Sequence, residues 1–411
     1  MYLGRATIDF MHPFVLLLAD AVAQALGYLE SYHNAHLDKQ VQIAEIPAPT
    51  FHEAERAKFM VQEFRRVGLK DVEIDPQGNV LGWRPGAVPD DVLALAAHLD
   101  ISFEPGVNTK VRKEGKRWFA PGLADDSRGL ACILAVAEAL KHARIETRRT
   151  LLFVANVGEE GLGDLNGVKY LFQQSRHKRR LKAFISVDGA DPARIVNGGN
   201  GVKRYKVSAR GPGGHSYGNF GRPNAAHAIG RMIARLASLE VPGSPKTTYN
   251  VGRIGGGTAV NAIAEEAWME VDLRSEAPAE LDRLELKMME AMRLGAEEEN
   301  KFREASGRKV TAEAKLIGNR PAGVTVESNA LVQAALTASR RTGHEPKLAF
   351  SSTDSNLPIS LGIPAVTMGG GGRADNAHSL DEWFEPEGAW RGPQTVLLTI
   401  LNYDSAAADR Q

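Results

Sequence analysis

The chain has 411 residues, with 50 Lys+Arg against 50 Asp+Glu, 43% hydrophobic residues and one cysteine. At roughly 100–200 residues per domain this suggests two or three domains with a large core, and the neutral, ordinary composition argues against a disordered chain or a nucleic-acid binder. A single thiol rules out internal disulfides and a cysteine-rich zinc site, so a cytoplasmic protein is expected, with secretion or the periplasm as the lesser alternative.

Met1 to His12 reads as a loose extension. The apolar stretch Phe14 to Leu18 is cut by Asp20, far short of the roughly 20 residues a membrane helix needs. Ala21-Val22-Ala23 has the form of a cleavage site, but the preceding stretch is short and only Arg5 supplies charge. An amphipathic helix over Pro13 to His36 is the better reading. A second helix, Ala54 to Val67, follows Thr50 and Glu53, which read as a capping box.

Short apolar runs then appear at Val92 to Ala97, Leu151 to Val157, Ala183 to Val187 and Ala365 to Met368. They alternate with helix-like segments such as Leu130 to Leu140, in which Cys132 is a core residue. This predicts an α/β fold, a mostly parallel sheet with helices on both faces. Between Lys203 and Leu316 the texture changes: Tyr205 to Ala209 and Trp268 to Leu273 alternate like half-exposed strands around a helix from Asn224 to Leu239. That predicts an inserted, smaller α+β domain. The expected division is a catalytic domain in two segments, 13–202 and 317–411, around an inserted domain at 203–316, with boundaries near Gly198 to Gly201 and Gly318 to Gly323. The basic run Arg176 to Arg180 reads as a solvated face.

The four apolar strands end in, or shortly before, residues able to bind a metal: His98 with Asp100, Glu159 with Glu160, Asp188, and, after a glycine stretch, His378. Ligands of open α/β sheets gather at the carboxyl ends of strands, so these residues should converge. Asp125 and Asp126 open the helix from Leu130 and join the set. Two imidazoles and several carboxylates, without a thiolate, suit zinc, with cobalt or manganese as alternatives. Two ions need a shared ligand, which a carboxylate can be. The spacing of His98 and Asp100 puts both side chains on one strand face, where a carboxylate can orient an imidazole. Adjacent carboxylates could divide the labour, one on metal and one as base.

With these motifs in this order, the sequence from about Glu45 to Asn402 resembles the co-catalytic zinc peptidases, the family of peptidase T, carboxypeptidase G, succinyl-diaminopimelate desuccinylase and aminoacylase. The resemblance implies that His98 binds one zinc and Asp100 orients it, that Asp125 bridges, and that Glu159 is the general base. Glu160 and His378 would then hold the second zinc, and Asp188 completes the first. Asp at 188, and the form Ala124-Asp-Asp-Ser-Arg-Gly129, are more like the di- and tripeptidases. Ser127 and Arg128 replace the usual Lys-containing pair, and Ala264 stands where many members have Pro. The inserted segment resembles the family's lid and dimerisation domain, which implies a homodimer. His215 there looks like the lid histidine that polarises the scissile carbonyl. Asn261 and Arg274 resemble substrate-binding residues, the planar guanidinium suiting a carboxylate; an ion pair at a strand end is the plainer account of Arg274. Ser352, Thr353 and Asp354 read as shaping their loop.

The expected function is a di-zinc peptidase releasing an N-terminal residue from short peptides. The alternative is an amidohydrolase of N-acyl amino acids using the same metals; a non-catalytic peptide-binding protein is disfavoured because no ligand is missing. No nucleic-acid or membrane partner is expected.

Overall fold

The computed structural model describes residues 13–302 and 307–406; the expected extension Met1 to His12 lies outside them. The chain divides into two compact units. The first comprises residues up to Ile195, Val326–Leu348 and those from Pro364 onward, and the second Val196–Thr325 with Ala349–Ile363.

The first unit begins with α1 (Pro13–Ser31), α2 (His33–Ala44) and α3 (Ala54–Val67), followed by β1 (Lys70–Ile74), β2 (Val80–Arg84), β3 (Val88–His98), β4 (Arg112–Glu114) and β5 (Arg117–Phe119). Next come α4 (Ser127–His142), β6 (Arg149–Asn156), α5 (Asn166–Lys169) and β7 (Leu181–Val187). Strand β8 (Arg194–Gly199) leads into the second unit with β9 (Gly201–Arg210), β10 (Gly214–His215), α6 (Ala225–Ala237), β11 (Thr247–Gly256), β12 (Ala262–Ile263), β13 (Glu266–Ser275), α7 (Pro278–Phe302), β14 (Thr311–Arg320) and β15 (Gly323–Val324). The chain continues through α8 (Ala330–Arg341), β16 (Lys347–Ser351), α9 (Asn356–Ser360), β17 (Ala365–Met368), β18 (Arg373–Asp375), β19 (Trp383–Glu385) and α10 (Arg391–Ser405).

The strands of the first unit run in the order β1-β2-β6-β3-β7-β17. Strands β6, β3, β7 and β17 are parallel, and β1 and β2 antiparallel. These four parallel strands are the four apolar runs read from the sequence. Every residue of β6 is buried, as a strand covered on both faces requires. Leu93, Leu95 and Ala97 of β3 pack with Leu130, Leu134, Val396 and Leu397 in one core, each buried leucine or valine side chain worth about 1.5–3 kcal/mol. Phe184 turns to the opposite face and meets Phe172 at 5.5 Å between ring centroids. A small antiparallel sheet, β18-β19-β5-β4, makes a hairpin of β18 and β19.

The second unit is an antiparallel sheet, β11-β13-β9-β14, whose inward residues Val207, Met269, Val271 and Leu273 pack on Ala228 and Met232 of α6 and Leu284 and Met288 of α7. The alternation along β13 is that of a sheet with one solvated face. This unit is wider than 203–316. It takes in 349–363 because Asn200 N–H donates to the Ser351 carbonyl and Asn356 Nδ2 donates to the carbonyls of Asn200 and Pro321. Asn356 also accepts from Thr353 N–H, and Thr353 from Ser355 N–H, so this loop is held by its own side chains.

Two local expectations are corrected. The first helix does not run to His36: it ends at Ser31, and after Tyr32 α2 continues to Ala44. Polar residues disguise the inward face of α2, where His36 pairs with Glu138 at 3.0 Å and Gln40 Nε2 donates to the Leu123 carbonyl at 2.9 Å. The capping box is not formed either. Glu53 occupies the N-cap of α3 without a side-chain cap bond, and both Thr50 and Glu53 are spent on the site described next. No helix among the described residues is long and apolar enough to cross a membrane.

Candidate metal centre

Parallel pairing sets the site. The register of β3 on β6 places His98 beside Asn156, and Leu99 N–H donates to the Asn156 carbonyl at 2.7 Å. The segment leaving β3 therefore runs alongside Gly158, Glu159 and Glu160, which leave β6. Asp100, wholly buried, ties the two together. Its Oδ1 accepts from Glu159 N–H at 3.0 Å, and its Oδ2 from Glu160 N–H and the Thr50 hydroxyl, both at 2.9 Å. Glu53, also buried, accepts from Gly158 N–H at 3.1 Å.

The imidazole of His98 has Nδ1 3.1 Å from the Asp100 carbonyl and 3.5 Å from its Oδ1, and Nε2 3.0 Å from Asp125 Oδ1. The other oxygen of Asp125 lies 3.1 Å from His378 Nε2, which is 2.8 Å from Glu160 Oε1. One carboxylate thus faces two imidazoles, one oxygen each, the arrangement a bridging ligand needs. Asp126 does not share this role. Its Oδ1 caps α4 through Gly129 N–H and its Oδ2 accepts from His98 N–H. The peptide bond between the two aspartates is cis. His378 sits in the tip of the β18–β19 hairpin and is exposed, whereas His98 is buried.

Ligand atoms of His98, Asp125 and Glu160 all lie within 4.8 Å of one another. The His98–Asp125, His378–Asp125 and His378–Glu160 separations are close to the roughly 3.3 Å edge of a tetrahedron with metal–ligand bonds of about 2.0–2.1 Å. The electrostatics also favour a cation. Burial pushes the His98 imidazole down, yet hydrogen bonds with Asp100 and Asp125 and the charge of Asp126 outweigh it and hold it well above the usual range. Hydrogen bonds with Asp125 and Glu160 push His378 up to about 11. Burial opposes ionisation of Asp125, but hydrogen bonds with His378 and His98 hold its carboxyl below the usual range. Asp126 is pushed up by burial and by Asp188 and Asp125. The residues present therefore fit a pair of divalent ions.

The other expected residues fall as follows. Asp188 leaves β7 half-buried, its N–H donating to the Met368 carbonyl. Its charge acts on Asp126, but it is not one of the three residues within 4.8 Å. Glu159 is buried, its backbone held by Asp100. His215, Asn261 and Arg274 belong to the second unit. Pairing of β10 with β12, and Ser216 N–H on the Asn261 carbonyl at 2.9 Å, bring His215 and Asn261 together. The N–H groups of Tyr217 and Gly218 both donate to His215 Nδ1 at 3.2 Å, so the ring proton of the neutral imidazole sits on Nε2, a donor. Arg274 Nε donates to Asp272 at 2.6 Å, and Arg204 holds the other Asp272 oxygen at 2.9 Å.

Sequence reasoning missed Thr50, Glu53, Arg56 and Glu382. Arg56 is wholly buried, donating to the carbonyls of Ile46 and Leu99; burial lowers its pKa to about 10, against the charges of Asp100 and Asp126. Glu382 accepts from the N–H groups of Gly122, Ala124 and Asp125; burial, then the charge of Asp125, pushes it up to about 7.

Comparison with known proteins agrees with this geometry. The profile of the family described as Peptidase family M20/M25/M40 matches residues 94–402. An uncharacterized protein, YqjE of Bacillus subtilis, is 26% identical over 383 residues, covering 89% of this chain and 97% of that protein. The succinyl-diaminopimelate desuccinylase of Corynebacterium glutamicum is 25% identical over 350 residues, covering 83% and 89%. A solved tripeptidase from Staphylococcus aureus superposes with a TM-score of 0.75 at 22% identity, over 91% of this chain and 99% of that one, and so shares the fold.

Proposed function

Since this chain belongs to the peptidase family M20/M25/M40, a family of metal-dependent hydrolases, we propose that it hydrolyses short peptides, releasing an N-terminal residue, with two zinc ions bridged by Asp125. The observation that carries this reading is the single carboxylate set between two imidazoles, with Glu160 on the second and Asp100 behind the first. His98, Asp125 and Asp188 would hold one ion, and Asp125, Glu160 and His378 the other. Zinc suits this donor set best, with cobalt or manganese as alternatives. Such ions supply Lewis acidity, making water a nucleophile near neutral pH and polarising the amide carbonyl.

The chain's own groups do the rest. Asp100 orients His98 and pins the loop bearing Glu159, which takes the proton from the attacking water and delivers it to the leaving amine. His215 Nε2–H donates to the substrate carbonyl oxygen as charge develops there. Arg274, its Nε spent on Asp272, turns its terminal nitrogens to a substrate carboxylate, with Asn261 beside His215 holding the substrate backbone. The segment 203–316 pairs two copies as a homodimer. A second reading, hydrolysis of N-acyl amino acids at the same metals, draws support from the desuccinylase relative.

The test is hydrolysis by chelator-stripped protein re-supplied with zinc, cobalt or manganese, on dipeptides, tripeptides, N-blocked peptides and N-acetyl amino acids. Cleavage of free-amine peptides alone supports the aminopeptidase. Turnover of acylated amino acids alone moves the assignment to the second reading, and silence across the panel overturns both.

A further inference from the structure

Asp125 and His378 are 253 residues apart in sequence, yet their side chains meet at 3.1 Å. Their two segments hold each other by one buried charged side chain apiece. Three residues after Asp125, Arg128 passes beneath the β18–β19 hairpin. Its Nε donates to the carbonyls of Gly370 at 2.7 Å and Gly371 at 3.1 Å, before β18, and its Nη2 to that of Ala389 at 2.7 Å, after β19. Four residues after His378, Glu382 reaches back into the Asp125 loop, accepting from Gly122 at 2.8 Å, Ala124 at 2.7 Å and Asp125 at 3.1 Å. Both side chains are 1% exposed, and among the described residues neither has an oppositely charged side chain within ion-pair distance. The guanidinium spends Nε and Nη2 on carbonyl dipoles at both feet of the hairpin, its buried Nη1 finding no partner, and the Glu382 carboxyl is spent on the N–H dipoles of the facing loop.

Burying an unpaired ion is costly unless its hydrogen bonds are filled. Here the bonds run across the gap that a bridging ligand must span. We propose that Arg128 and Glu382 are positioning residues, a reciprocal clasp that sets the separation of Asp125 and His378 and thereby tunes the metal position those two share with Glu160. The proposal rests on the metal reading given above. A bond within one segment would brace only that segment; each of these joins the segment of one ligand to the segment of the other.

The test uses the full chain, stripped with chelator and titrated with Co2+ or Zn2+ against a competing chromophoric chelator. The variants are Glu382→Gln and Arg128→Lys. Gln keeps one acceptor oxygen but turns an NH2 toward a backbone N–H, and Lys replaces the planar fork by a point charge. Each should weaken binding of the equivalent that His378 and Glu160 hold by about 10–100-fold, the usual effect of losing a group that supports a ligand, and by more than that of the equivalent of His98 and Asp188, which shares only Asp125. Urea unfolding of the metal-free forms is measured alongside. Lower stability with both metal affinities unchanged would make the pair a fold brace and overturn the clasp, as would equal weakening of both equivalents. A wild-type chain that takes up no metal would instead overturn the metal reading itself. Glu382→Gln is isosteric, so if Arg128→Lys fails to fold it decides the question alone.

Discussion

Asp100→Asn probes the link between the His98 segment and the Glu159–Glu160 loop. The wild-type carboxylate accepts three hydrogen bonds, one on Oδ1 from Glu159 and two on Oδ2 from Glu160 and Thr50, and is wholly buried. An amide has one acceptor oxygen. Its better orientation puts that oxygen where Oδ2 was, keeping Glu160 and Thr50, and turns NH2 against Glu159 N–H. One bond to a charged group, about 1.5–3 kcal/mol, is lost and one buried donor is stranded, so the variant should be about 2–4 kcal/mol less stable without metal. His98 also loses the carboxylate near Nδ1, which should weaken its metal by about 10–100-fold. Urea unfolding of the chelator-stripped protein reads the first effect, and chelator competition the second. A variant within about 0.5 kcal/mol of wild type, the ordinary effect of a surface change, and with unaltered metal affinity would refute the claim that Asp100 organises the site.

Three other outcomes are expected. Glu159→Gln should keep its metal, because Asp100 holds the backbone of residue 159 through its N–H, while kcat falls about 10²–10⁴-fold; metal analysis beside steady-state kinetics decides, and near-normal turnover sinks the base assignment. Metal uptake should release about two protons per chain near pH 7, because His98 is held well above its usual pKa and His378 is pushed up to about 11 in the metal-free protein, whereas metal binds neutral imidazole. Affinity must therefore weaken as pH falls, and calorimetry in buffers of different protonation heat would contradict this by finding fewer than one proton. Gly392→Ala should cost about 1–3 kcal/mol by overpacking, since a Cβ there would lie 2.1 Å from the Gly370 carbonyl, backbone that no rotamer change can move; a thermal midpoint equal to wild type would count against it.

What was legible in the sequence, and what was not, divides by the kind of partner a residue takes. Strands β3, β6, β7 and β17 were readable because burial on both faces demands unbroken apolar runs. Their ends were readable because side chains able to bind a metal follow all four runs, and the carboxyl ends of parallel strands converge on one crevice. The supporting residues left no such trace. Glu382, Arg128, Glu53, Arg56 and most bonds of Asp100 end on backbone N–H and carbonyl groups, which every residue carries, so no second side chain at a telling distance announces them. Thr50 and Glu53 show how a local pattern can mislead: the spacing of a capping box is also the spacing of a turn that sends one side chain to Asp100 and the other to Gly158. Asp125 and Asp126 are alike in sequence and opposite in use, because only the chain's path decides which one caps α4 and which one faces the two histidines. Arg128 looked like a departure from the di- and tripeptidase pattern, yet its three carbonyl partners lie more than 240 residues downstream. A substitution beside a ligand is therefore best judged by the backbone it grips, since that backbone positions the ligand from the other side.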